Sequence, residues 1–177
     1  FALEFGDYEV NITVPSDHIM EATGSLLNPK EVLTRVEYRR FIDSNSSFDK
    51  PILIVNQDEA FLKESSFSET KSTWRYSAKN VRDFAFASSR KFIWERQAVK
   101  VGENKVMAVS IYPKEGNPLW EDYSTKAVIQ TLKTYSKFTF DYPYPKAVSV
   151  HAKRIGMEYP MICFNFGRPE EDGSYSE

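Results

Sequence analysis

A single cysteine, Cys163, leaves the chain without an internal disulfide. The two histidines, His18 and His151, are far apart, neither belongs to an H-E-x-x-H segment, and no set of acids clusters beside them. A zinc centre draws on about three protein ligands and an open position, so these residues offer no metal site. No apolar run approaches the ~18 residues of a membrane-spanning helix. The 23 Lys and Arg are balanced by 25 Asp and Glu, for a net charge of −2, and they are scattered; a nucleic-acid surface would need a basic stripe. G-x-S-x-G, phosphate loops and dinucleotide fingerprints are missing too. Phe1 stands where an initiator Met would, with no basic-then-apolar leader after it, so the expectation is a numbering that begins inside a longer protein.

What is present favours strands. Aromatics make up 15% of the 177 residues, a bias towards β-rich structure with rings packed across strands. Val10, Ile12 and Val14 alternate with polar residues, the period of a half-buried strand that Pro15 ends. Asn28-Pro29 opens a helix with Val32, Leu33, Val36 and Phe41 on its apolar face. Residues 43–72 are rich in Ser and charge. They hold one short strand, Ile52 to Val55, and a helical turn or loop near Asp58 to Lys63. Strands are predicted at Thr73 to Ser77, Asp83 to Ser88 and Lys105 to Tyr112. Lys114-Glu115-Gly116 reads as a domain joint, and Asn117-Pro118 begins the clearest helix. In that helix Trp120, Tyr123, Ala127, Val128, Leu132 and Tyr135 recur at spacings of three and four, a stripe read as core. Two prolines in Tyr142-Pro143-Tyr144-Pro145 force extended backbone, and strands follow at Ala147 to His151 and Met161 to Phe164.

Two places invite chemistry. Cys163 sits in the apolar run Met161-Ile162-Cys163-Phe164, which reads as a core thiol rather than a nucleophile paired with His151. Ile155-Gly156-Met157-Glu158-Tyr159-Pro160 places a lone carboxylate in an apolar stretch. Gly156 would let another backbone approach, and Pro160 keeps the stretch from being a fully paired central strand. Both fit a sheet edge that accepts an extended peptide, with Glu158 holding an ammonium group; a turn with a solvated Glu fits the residues as well.

Tyr142-Pro143-Tyr144-Pro145, then a strand, then Gly156-Met157-Glu158, is similar to the approach to the exopeptidase motif of M1 zinc aminopeptidases, usually written G-A-M-E-N. The helix Pro118 to Lys137 fits the one that opens the family's catalytic domain. Asn80 to Ala87, and the strand Val10 to Val14 with Pro15 and Gly24, resemble parts of its N-terminal β domain. The resemblance covers most of the chain and is nearest to a bacterial branch carrying G-M-E-Y-P. It implies an α+β fold: a mainly antiparallel, saddle-like β domain over residues 1–114, then the first helix and strands of a thermolysin-like catalytic domain over 115–177.

The same resemblance implies that Glu158 binds the free α-amino group of a peptide, that the backbone of Gly156 and Met157 bonds the peptide near its cleaved bond, and that Tyr159 lies in the same substrate-binding stretch. Ile155, Gly156 and Tyr159 depart from the motif's Gly, Ala and Asn, so amine binding rests on Glu158 alone. In the family the H-E-x-x-H helix follows this motif. The implied cofactor is therefore zinc in the full-length protein, with no metal ligand and no catalytic residue in this stretch, and the chain alone is expected to be inactive. A non-catalytic peptide-binding or scaffold module is the alternative, and an unrelated β-rich domain a third reading. The implied partners are peptides with a free N-terminus, with self-association expected through strands exposed near residues 147–164. The resemblance allows a periplasmic or other extracytoplasmic location; the residues name no compartment.

Overall fold

The computed structural model describes residues 3–154, 156–170, 172 and 174. Strand β1 (Gly6–Pro15) alternates exposed and half-buried residues and starts earlier than its apolar pattern. It leads to β2 (Ile19–Ala22) and β3 (Ser25–Leu26), turned at Gly24. Gly24 has a φ of 88°, and a Cβ there would run into the Ser77 carbonyl, so the turn needs a residue without a side chain. The helix expected from Pro29 is two helices, α1 (Pro29–Val32) and α2 (Arg35–Ser44). Thr34 divides them: its hydroxyl accepts the Glu37 N–H while the Glu37 carboxylate accepts the Thr34 N–H, a capping box that starts a new helix. After β4 (Ile52–Val55), a second capping box between Asn56 and Glu59 opens α3 (Gln57–Ser66), longer than the helical turn or loop expected near Asp58 to Lys63.

Next come β5 (Lys71–Val81), β6 (Phe86–Ser89), β7 (Ile93–Val101) and β8 (Asn104–Tyr112). A turn of 3-10 helix at Lys114–Gly116 then leads into α4 (Leu119–Phe138), β9 (Lys146–His151), β10 (Met157–Tyr159) and β11 (Ile162–Asn165). Among the described residues no helix is long and apolar enough to cross a membrane.

The described strands form three sheets. β1, β5 and β3 form an antiparallel sheet, β2 and β6 a two-stranded ribbon, and six strands line up in the order β10-β11-β9-β8-β7-β4. The large sheet is mixed. β9 runs parallel to both β8 and β11, and the other neighbours are antiparallel. It draws three strands from before residue 114 and three from after, so backbone hydrogen bonding is continuous across the joint expected there.

β7 was invisible in the sequence. Glu95-Arg96-Gln97 breaks any apolar pattern, yet seven of its first eight positions are buried and only Lys100 among its nine is exposed. These polar residues are admitted because each finds a partner: Arg96 bonds the Phe41 carbonyl at 3.2 Å and Gln97 the Phe48 carbonyl at 2.7 Å.

The six-stranded sheet has two distinct faces. Trp94, Val109 and Val148 lie on one, against Trp74 of β5 and Phe41 of α2; the Trp74 and Trp94 rings are 6.4 Å apart. Val106 and Ala108 lie on the other, beneath Val128 and Leu132 of α4. On the first face a charge crosses between layers. Lys146 of β9 donates to the Glu21 carboxylate of β2, with side chains 8% and 4% exposed. Arg96 is buried nearby, its guanidinium 3.7 Å from the centre of the Phe41 ring, and burial lowers both its pKa, to about 10, and that of Lys146. Removing one member of a buried pair leaves the other uncompensated. Glu21→Ala should therefore cost about 3–5 kcal/mol in urea unfolding, while the paired change Glu21→Leu with Lys146→Met should cost far less. Equal losses in the two variants would show that the ion pair is not what the single change removes.

Candidate peptide-binding edge

β10 is the edge strand of the large sheet, and among the described residues its hydrogen-bonded neighbour is β11. Pro160 and Met161 make the connection. Met161 takes a left-handed φ of 64°, and it is held there because its carbonyl accepts the Val148 N–H at 2.8 Å while the Pro160 carbonyl accepts the Thr23 hydroxyl at 2.9 Å. The turn is thus anchored to β9 and to the β2–β3 turn, which positions the edge.

Alternation along β10 separates the predicted residues. Met157 pairs with Phe164 and Tyr159 with Ile162, on the first face, where the Tyr159 and Phe164 rings meet edge-on at 6.2 Å. Glu158 pairs with Cys163, which pairs with Ser149, and all three side chains lie on the α4 side. Gly156 is exposed just before the strand. A Cβ there would meet the Phe164 carbonyl and the Phe166 ring only at 3.9 Å, so nothing in the described chain requires a glycine at that position. Ile155, the first residue of the stretch, lies outside the described residues.

Between this edge and α4 runs an open groove of about 750 Å³. Trp120, Tyr123, Ala127 and Tyr135 form one wall, and Ser149, Cys163 and Glu158 lie across from them. The helical stripe read as core therefore divides. Trp120 and Leu132 are buried, but Tyr123 and Tyr135 are 62% and 68% exposed along the groove. Trp120 is pinned by its indole N–H on the Gly167 carbonyl at 2.8 Å and by its ring against His151.

The remaining candidates have settled partners. The Arg168 Nε–H donates to His151 Nε2 at 3.2 Å, and burial followed by the Arg168 charge keeps this imidazole neutral by lowering its pKa. His18 Nδ1 is bonded to Ser88 Oγ at 2.8 Å, in a different part of the fold. Among the described residues no group of three or more His, Cys, Asp or Glu is placed to hold a metal ion. The described residues therefore form no zinc site, and the resemblance places the zinc of the full-length protein on residues outside this stretch.

Cys163 donates its thiol to the Val148 carbonyl and receives the Asn165 amide, each at 3.3 Å. Burial pushes its pKa up, and the Glu158 charge on the same face adds to that. A free thiol titrates near about 8.5. The pH profile of Cys163 alkylation should therefore lie above that of a free cysteine and move down in Glu158→Gln. An unmoved profile in the variant would mean that the two groups do not share a face.

No family model matches the sequence, and no curated protein matches it either. Solved structures do. A two-domain M1 zinc metallopeptidase variant bound to L-tryptophan superposes with a TM-score of 0.57 at 12% identity, over 90% of this chain and 29% of that one. The M1 zinc metallopeptidase from Deinococcus radiodurans gives 0.58 at 12% identity, over 92% of this chain and 30% of that one. A variant of the Deinococcus radiodurans enzyme bound to a Tyr-Ser-Ala substrate gives 0.54 at 12% identity, over 90% and 29%. This chain thus has the α+β fold of part of the M1 zinc metallopeptidases, and it spans under a third of the length of the structures it matches.

Proposed function

We propose that this chain is the peptide-binding part of an M1-type zinc aminopeptidase. The observation that carries the reading is β10: an open edge strand with a carboxylate, Glu158, directed to the groove side. An extended peptide would add to β10 through main-chain hydrogen bonds, and Glu158 would take the peptide's free α-ammonium by a charge-assisted bond. The open space at Gly156 supports this, since a second backbone can approach there without displacing a side chain. Met157 and Tyr159 shape the strand from its other face. Anchoring the amine sets the register, which decides which peptide bond is presented for cleavage. Zinc would come with residues of the complete enzyme outside this chain. Cleavage of N-terminal residues belongs to that larger protein.

A non-catalytic peptide-binding or scaffold module on the same fold is the second reading. The edge-strand geometry favours it equally, because pairing with a peptide needs no metal. The two readings separate on the complete gene product, where zinc content and peptide cleavage would be found only for the enzyme.

For this chain, calorimetric titration with a short peptide, free or acetylated at its N-terminus, tests the amine contact. A hydrogen bond to a charged group contributes about 1.5–3 kcal/mol, so acetylation should weaken binding by roughly ten- to a hundredfold. Glu158→Gln should abolish most of that difference. Equal binding of the two peptides by the wild-type chain would remove Glu158 from this role. The open β10 edge beside exposed aromatics also supports self-association, and sedimentation at rising concentration should show it.

A further inference from the structure

Asp17, Glu21, Glu37 and Glu95 are buried acids, and among the described residues Glu95 has no ion-pair partner. Glu95 lies on β7, opposite Ser110 of β8 and Leu53 of β4, and is 2% exposed beneath α4. The Ser124 hydroxyl of α4 is 3.0 Å from Glu95 Oε1 and also within hydrogen-bond reach of the Trp120 carbonyl on its own helix. One hydroxyl carries one proton. If Glu95 is ionised, Ser124 can donate to the carboxylate or to the carbonyl but not to both. If Glu95 is protonated, all three groups are satisfied in sequence.

The surroundings disfavour the charge. Thr125 commits its hydroxyl to Ser110 at 3.0 Å, and the buried Tyr112 hydroxyl of β8, which lies beside Glu95, makes no well-formed hydrogen bond among the described residues. From α4 the charged neighbour is the acid Glu121 of its first turn, and Asp122 of the same turn acts on Tyr112. From α3 comes Gln57, a neutral residue, bonded to Asn117, which also holds Glu121. Leu53 on β4 is uncharged. None of the ion pairs among the described residues includes Glu95. Burial raises its pKa to about 7, hydroxyl contacts from α4 and β8 oppose the rise, and Glu121 adds to it.

We propose that Glu95 is a proton-operated latch for α4. Protonated, it donates to Ser124 Oγ, Ser124 donates to the Trp120 carbonyl, and the first turns of the helix are held on the sheet. Ionised, the relay breaks and those turns loosen. Trp120 and Ser124 line the groove, so the proton sets how firmly that wall is held whether or not a peptide ever binds there. The sign follows from the raised pKa. The latch is complete below the ordinary glutamate range and is lost as pH rises through about 7.

Amide hydrogen exchange, corrected for intrinsic rates, tests this at about pH 6 and about pH 8. Protection over residues 119–125 should fall about tenfold across that interval, as one titrating group demands, while β7 and β8 hold theirs. Glu95→Gln, whose amide donates to Ser124 at any pH, should show no fall. Constant protection in the wild type, or the same fall in the variant, overturns the latch. If the variant does not fold, a carbon-13 carboxyl titration of the wild type decides: a Glu95 midpoint near neutrality supports the latch, and one in the ordinary glutamate range of about 4.3 overturns it.

Discussion

The contact on which the layers depend is the buried bond between Lys146 and Glu21. It joins the first residue of β9 to the small ribbon of β2 and β6, elements far apart in the chain. Desolvating two ions is unfavourable, so such a pair adds little to stability compared with packed hydrocarbon. Its effect is on arrangement. With Glu21 and Lys146 in place, any sliding of the ribbon over the sheet would strand charges in the core. Arg96 increases the demand, since two cations then lie near one carboxylate, and it stacks on Phe41 in compensation.

From that arrangement the binding edge follows. Fixing β9 fixes β11, which pairs with it in parallel, and β11 carries β10. The β2–β3 turn reaches the same place from the other side, through Thr23 on the Pro160 carbonyl. A three-residue strand would have little persistence alone, so its position is inherited from its neighbours. The groove beside it has the opposite character: α4 is anchored at Trp120 and Leu132, while Tyr123 and Tyr135 stand exposed over the strands of the edge. One wall is thus tied to hydrogen-bonded sheet, and the other to a helix whose first turns rest on a buried carboxyl.

Residues with local signatures were legible in the sequence. The alternation in β1, the apolar run of β8, the periodic stripe of α4 and the Gly-Met-Glu stretch before Pro160 all announce themselves within a few neighbours. The full length of α3 and the break between α1 and α2 were written there too, as capping boxes at Asn56/Glu59 and Thr34/Glu37, but polar surroundings reduce α3 to a helical turn or loop and leave α1 and α2 as one helix in a reading of apolar pattern. β7 had no such mark. Its Glu95, Arg96 and Gln97 look like surface, and they are inside because their partners, Ser124, Phe41 and Phe48, come from distant segments.

The chain's own order of residues thus settles its local elements and the placing of a carboxylate next to Gly156 and Met157, since each depends on neighbours within one turn or strand. The sheet order, the parallel pairing of β9, the face on which Glu158 lies and the burial of Glu95, Lys146 and Glu21 were decided by the assembled fold. Those properties belong to pairs of residues tens of positions apart, and no local pattern carries the free energy that brings such pairs together.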